Sequence, residues 1–241
     1  MNTKYYLFFI YLVLLTSCTS YKSLVNFNQS YAPAQPATIT NYTPIKLEPN
    51  DILQIDVKSL ESESVSILAS KENENYLIGE DGTIDFPLVG EVSLKGMSIA
   101  EAKITLVEEL NKYYVKPPIV NIRLLNFRIN VNGEVGGPGS FIIEDERVSL
   151  IDAITLAGDF TVYSRRDSIL IIREQDDIRS FAYVDFNSFE VLNSPYFYLK
   201  QNDVVYVQPT KSKLGTVRDN QTKILPYISV GVSLLLLLRL L

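Results

Sequence analysis

The side chains best equipped for chemistry in this chain are grouped carboxylates, a pair of arginines and one thiol. Glu144-Asp145-Glu146 and Asp176-Asp177 bring acidic groups together, as a glycosidase does for its general acid and its base or nucleophile. Such runs are frequent in a chain with 28 acidic residues, and a solvated turn is the preferred reading. Gly133-Glu134-Val135-Gly136-Gly137-Pro138-Gly139 is glycine-rich, as a phosphate cradle would be, but no lysine with Ser or Thr follows it. A hairpin turn accounts for it better. Arg165 and Arg166 could meet an anionic polymer or a neighbouring subunit, although a solvated loop suits them more simply. Histidine is missing altogether, which removes the side chain most suited to proton transfer near neutral pH and the commonest zinc ligand. The chain is therefore expected not to be an enzyme, with no catalytic, metal or cofactor-binding residue.

The thiol is the exception. Cys18 is the one cysteine, so no intrachain disulfide forms. Lys4 and the eleven apolar residues Tyr5–Leu15 have the make-up of a signal peptide, too short to span a bilayer. Leu15-Thr16-Ser17-Cys18 resembles a bacterial lipobox, in which the thiol receives diacylglycerol, the chain is cut before the cysteine and the new amino terminus is acylated. The competing reading is a buried free cysteine behind an ordinary cleavage site; position, apolar stretch and flanks favour the lipobox. Residues 1–17 are thus expected as signal peptide, Cys18 as the lipid attachment site and 18–42 as a lipidated tether. Two or more acyl chains anchor stably in membrane lipid where one does not. Thr19, in place of an aspartate, favours the outer membrane.

At the other end, Ile224–Leu241 has Arg239 as its only charge. As a helix its 18 residues would rise roughly 27 Å, close to a hydrocarbon core. A transmembrane helix at 224–241, after a linker at 210–223, is the expectation. Thr222, Pro226, Ser229 and Ser233 share one face, but this stripe is weak, and a lone anchor suits it better than a helix packed in an assembly.

Between these ends lies a globular pattern. Of 241 residues, 46% are hydrophobic and 21% charged, enough for a packed core. A net charge of −6 without a basic run argues against nucleic acid as a partner. Leu53, Ile55 and Val57 alternate with polar residues, as do Ile84 and Phe86 after the turn Glu80-Asp81-Gly82, predicting half-buried strands. Ser98-Ile99-Ala100-Glu101 is a capping box, and the helix it opens places Ile99, Ala102, Leu106, Leu110 and Tyr113 on one face until Pro117-Pro118. Val120, Ile122 and Leu124 form a further strand. At Leu125 the alternation slips by one residue, through Phe127, Ile129 and Val131, which marks a bulge or a domain boundary; the boundary is chosen. The second half echoes the first. Ser149-Leu150-Ile151-Asp152 opens another capped helix, and Leu47-Glu48-Pro49-Asn50-Asp51-Ile52 is matched by Leu199-Lys200-Gln201-Asn202-Asp203-Val204. Two small mixed domains of α+β class are expected, together with the C-terminal membrane-spanning helix.

Leu47–Ile55, Asp81–Gly90, Gly96-Met97-Ser98 and Tyr114–Pro118 resemble the polysaccharide export domain of outer-membrane capsule and exopolysaccharide export lipoproteins. Val131–Val135, Pro138-Gly139, Ser149–Ala153 and Leu156-Ala157-Gly158 resemble the soluble-ligand-binding β-grasp domain that follows it in that family. Asp159 departs from the family, which often has a second glycine there. The resemblance implies a polysaccharide export domain at 43–124 and a β-grasp domain at 125–209. It also implies a ring-shaped homo-oligomer in the outer membrane, facing the periplasm, that passes polysaccharide through its centre. Its partners would be further copies of itself, the polysaccharide, and an inner-membrane polysaccharide co-polymerase with a tyrosine kinase. The alternative is a membrane-anchored module that binds polysaccharide or peptidoglycan and forms no pore.

Overall fold

The structure is a computed structural model that describes residues 25–27, 38–58, 74–113, 118–175, 178–213 and 227–233. The expected signal peptide, Cys18, most of the tether and most of the linker lie outside the described residues.

Ile52–Lys58 (β1), Asn75–Leu77 (β2) and Ile119–Leu124 (β5) make an antiparallel sheet in the order β2-β1-β5. The period-two pattern decides its faces. Leu53, Ile55 and Val57 stand opposite Leu124, Ile122 and Val120, so one apolar face is built from both strands. Thr83–Phe86 (β3) and Gly90–Ser93 (β4) pair as a separate hairpin. The turn into it is held by Asp81, whose carboxylate accepts the Thr83 amide and hydroxyl, and these bonds lower the Asp81 pKa.

Helix α1, Ile99–Leu110, packs against β5 with Ala102, Leu106 and Leu110 fully buried. Its capping box is formed in full: the Ser98 hydroxyl accepts the Glu101 amide at 3.2 Å, and Glu101 accepts the Ser98 amide at 2.7 Å. That bond, with the nearby Lys46 ammonium, holds the Glu101 carboxyl down at about 2. The helix stops at Leu110, well short of Pro117, because the chain tightens into a turn in which the Tyr113 amide reaches the Leu110 carbonyl. Tyr113 is consequently exposed and off the buried face expected for it.

Beyond β5 the strands join a different sheet. Arg128–Gly133 (β6), Gly139–Ile142 (β7), Ser164–Gln175 (β9), Ile178–Val184 (β10) and Val204–Pro209 (β12) line up as β10-β9-β12-β6-β7. The sheet is mixed: β12 runs parallel to β6, and the other pairs are antiparallel. Its inner face carries Ile129, Val131, Ile169, Ile171, Val205 and Val207, all buried. Helix α2, Leu150–Leu156, adds Leu150, Ala153 and Ile154 to the core. Val148-Ser149 (β8) pairs with Tyr198-Leu199 (β11), with a 3-10 turn at Phe189–Asn193 shortly before β11.

The slip in alternation falls where the chain passes from one sheet to the other, and Asn126 bridges them there. Its carboxamide donates to the Asn50 carbonyl and accepts the Ile52 amide, both at 2.9 Å, while its own carbonyl accepts the Gln201 side chain at 2.8 Å.

The fold is α+β with mixed sheets, and the spanning helix expected at Ile224–Leu241 is corrected. Among the described residues no helix is long and apolar enough to cross a membrane. The described part of that tail is helical at 227–233, with 224–226 and 234–241 outside the description. Apolar content expresses a preference for lipid, whereas a span also needs a helix of sufficient length. Here the run contains Gly231, and Ser233 turns its hydroxyl back onto the Ser229 carbonyl, both unfavourable inside a helix.

Candidate functional site

A cleft of about 930 Å³ lies beside α2. The loop 144–147 forms its rim and separates it from two neighbours of about 350 and 800 Å³. Glu146 lines all three, and Arg147 lines the first two.

Local rules place the side chains around Arg147. Ser149 caps α2, with the Asp152 carboxylate accepting the Ser149 amide at 2.9 Å, so the chain just before the helix is held extended. Its pairing with β11 brings Tyr198 opposite Ser149, two positions beyond Arg147. From far away in sequence, Asn41 donates to the carbonyls of Leu192 and Ser194 at 2.9 and 2.8 Å and ties the 38–45 segment to the 3-10 turn. Tyr42 thereby meets Tyr198 edge-on, ring centres 5.2 Å apart. The Arg147 guanidinium lies 5.8 Å from the Tyr42 ring and 5.9 Å from the Tyr198 ring. Arg147 forms no ion pair among the described residues.

Beneath this layer is a second one. Arg173 binds both oxygens of fully buried Asp203, at 2.7 and 3.0 Å for the shortest contacts, and donates to the Tyr198 carbonyl at 3.0 Å. The Tyr196 ring lies 5.0 Å from the same guanidinium. The strand β11 that presents Tyr198 is thus fixed from below by a charge-assisted, bidentate pair.

Glu144, Asp145 and Glu146 are exposed on the rim. Asp176 and Asp177 lie outside the described residues. Asp51, whose burial pushes its carboxyl up to about 6, has one oxygen committed to the Glu48 amide at 2.9 Å in a turn. Tyr76 is also raised, by burial and by its hydrogen bond to Glu74, again within a structural contact. Among the described residues no three His, Cys, Asp or Glu side chains are arranged to hold a metal ion.

The glycine-rich loop is a packing device. A Cβ on Gly133, at φ 92°, would fall 2.1 Å from the Val207 carbonyl oxygen, and one on Gly136 would fall 2.4 Å from that of Gly158. The Gly136 and Gly137 amides donate to the carbonyls of Asp159 and Ala157, so the loop clasps the end of α2. Asp159 takes φ 65°, the left-handed conformation that glycine would adopt there most easily. Within the same loop Glu134 is nearly buried and pairs with Lys213, which lowers its pKa. Arg165 contacts Asp167 and Gln208, and Arg166 lies 5.0 Å from the Phe160 ring and bonds Asn26 at 2.9 Å.

Sequence reasoning did not find the cluster of Tyr42, Arg147 and Tyr198. They are remote in sequence and follow no motif; only the β8–β11 pairing and the Asn41 anchor unite them. The cleft thus presents two aromatic rings, a guanidinium and rim carboxylates side by side.

Residues 40–125 match the family described as polysaccharide biosynthesis/export protein. The chain is 32% identical over 90 residues to the EPS I polysaccharide export outer membrane protein EpsA of Ralstonia solanacearum, an alignment covering 36% of this chain and 24% of that protein. It is 31% identical over 86 residues to the protein of the same description from Ralstonia nicotianae, covering 34% of this chain and 22% of that one. The chain thus spans less than a quarter of the length of either curated relative. The family match ends within a residue of the end of β5, where the first sheet gives way to the second.

Proposed function

Since the chain carries over residues 40–125 a domain of the polysaccharide biosynthesis/export family, we propose that it serves in the export of a polysaccharide across the outer membrane. The observation that carries this reading is the match itself, which takes in β1 to β5, α1 and the segment that delivers Tyr42. Residues 43–124 act as the export domain, and 125–209 as a β-grasp domain. The mixed sheet of the second unit, with its first and last strands side by side and parallel, is in keeping with that assignment. Cys18 carries the lipid that holds the protein at the membrane, with the folded part in the periplasm. The working form is a homo-oligomeric ring that takes polymer from an inner-membrane co-polymerase.

What supports self-association is the outer face of the five-stranded sheet. Phe181, Ile172 and Val204 lie in one cross-strand row, and Tyr183, Leu170 and Tyr206 in the next. Phe181 and Tyr183 are 62% and 65% exposed, so this apolar band has no partner within the described chain.

The test is surface polysaccharide in a strain lacking the chain, with and without the full-length gene restored. Polymer retained inside the cell on deletion, and returned to the surface on restoration, is expected. Normal surface levels in the deletion strain would reject export and leave the non-pore binding module.

A further inference from the structure

We infer that the Arg147 cleft is a subsite for an acidic sugar, one whose ring carries a carboxylate. The inference rests on the polysaccharide reading and adds to it the class of residue recognised and the side chains that recognise it.

The two sides of the 144–147 loop differ in charge. The smaller cleft is lined by Thr40, Tyr42, Arg147, Arg173, Tyr198 and Lys200, with Glu146 as its acidic member. Arg173 is neutralised there by Asp203. Lys200 donates to the neutral Gln175 side chain at 2.6 Å, and Arg147 lies over the two tyrosine rings with no ion pair among the described residues, so two cations keep their charge for a ligand. A planar guanidinium with its donors uncommitted matches a carboxylate in fork geometry. Contact with Tyr42 and Tyr198 keeps the guanidinium in place before a ligand arrives, which reduces the ordering cost of binding.

The larger cleft shares Arg147 and is the more acidic of the two. Glu144, Asp145, Glu146 and Asp152 line it with acceptor oxygens, one Asp152 oxygen being taken by the Ser149 amide and hydroxyl. Carboxylates of this kind accept hydroxyl donors and repel a second anion. A sugar ring laid across the loop would direct its carboxylate to Arg147 and Lys200 and its hydroxyls to the acidic side, with its apolar C–H face against the tyrosines. A neutral sugar would satisfy only half of this arrangement, and a polyanion such as a phosphate chain would meet the four carboxylates.

Isothermal titration of the detergent-extracted full chain with tetragalacturonate and with maltotetraose tests the inference. The acidic tetramer is expected to bind more tightly, and Arg147→Gln to weaken it about tenfold, the scale of one charge-assisted hydrogen bond, without changing the neutral tetramer. Tyr42→Leu should weaken both sugars. Arg147 is exposed, so its substitution leaves the fold intact, which circular dichroism would verify. Equal affinity for the two tetramers, an unchanged affinity in Arg147→Gln, or no binding of either sugar overturns the subsite. Failure here with export still dependent on the chain sinks the subsite alone; sound binding with export independent of the chain sinks the export reading instead.

Discussion

Asp51 and Asp203 close the same turn twice, and Asp203 alone meets a buried counter-charge. In each case the carboxylate accepts the amide three residues back, Glu48 at 2.9 Å and Lys200 at 2.8 Å, and the preceding asparagine is left-handed, Asn50 at φ 72° and Asn202 at φ 63°. Each turn launches a strand, β1 or β12. Both aspartates are buried, at 4% and 0% exposure. Asp203 is clasped by Arg173, whereas Asp51 has the Glu48 amide as donor and the nearby Glu48 charge.

Neutralising the two therefore has opposite consequences. Asp203→Asn leaves the Arg173 guanidinium buried beside an amide and is expected to lower stability by about 3 kcal/mol or more. Asp51→Asn keeps an oxygen for the Glu48 amide and removes a buried charge, so at pH 7 it should leave stability unchanged or raise it. Thermal melts of the two full-length variants beside the parent chain are the measurement. A large loss in Asp51→Asn would contradict the assignment.

The pH dependence follows in sign. The Asp51 carboxyl titrates at about 6 in the folded chain against an ordinary value of 3.8, so between these values the folded state holds more protons than the unfolded one. Its contribution is greatest below about pH 4, falls as pH rises through 6 and stays at its lowest above that. The shift corresponds to about 3 kcal/mol, as an order of magnitude. Any advantage of Asp51→Asn over the parent chain should shrink as pH drops from 7 to 4. A stability difference that stays constant across this range would show that Asp51 does not titrate there. Glu101 runs the other way: held at about 2, it stabilises above its ordinary value of 4.5 and ceases to do so as pH falls through 2.

Much of this architecture was legible in sequence because local rules and tertiary packing agree. The alternation around Leu53 and Ile55, the capping boxes at Ser98 and Ser149 and the slip after Leu124 each correspond to a described strand, helix start or change of sheet. The echo between Asn50-Asp51 and Asn202-Asp203 is a shared turn, since one short-range hydrogen-bond pattern needs the same residues in both places. Failures came where length or distance decides. Apolar content at Ile224–Leu241 reports affinity for lipid and not helix length, and the last turn expected before Pro117 was lost to a tighter turn after Leu110. The cluster at Arg147 was illegible because its members meet only through a two-residue strand pairing and one asparagine anchor.

Gly133 is expected to tolerate no side chain. Its left-handed backbone alone makes Ala costly, and the added Cβ would press on the Val207 carbonyl, part of β12 in the middle of the sheet, where backbone cannot give way. Gly133→Ala should cost more than about 2 kcal/mol. Gly90 also has a positive φ, 82°, but no atom within 4 Å of its Cβ position, so Gly90→Ala isolates the conformational part. The larger loss should fall on Gly133; equal losses at the two sites would mean that close approach to β12 contributes nothing.

The last expectation concerns assembly. The outer sheet face sets Phe181 and Tyr183 on strand β10, an edge of the five-stranded sheet, beside Ile172, Leu170, Val204 and Tyr206. An edge strand with exposed aromatic side chains invites a second chain, and monomeric proteins usually protect such edges with charge. Arg179 and Glu174 do form an ion pair one row away, at 2.5 Å, but the two aromatic rows have none. Phe181→Ser with Tyr183→Lys should therefore leave the fold intact, because both side chains are mostly exposed, and should dissociate the oligomer. Mass photometry of the detergent-extracted chain reads this directly. The parent protein is expected as a multimer and the double variant as a monomer or small species, with unchanged circular dichroism. Arg179→Ser serves as the control, removing a charge next to the same rows without touching them. A double variant with the mass of the parent assembly would show that subunits associate through another surface.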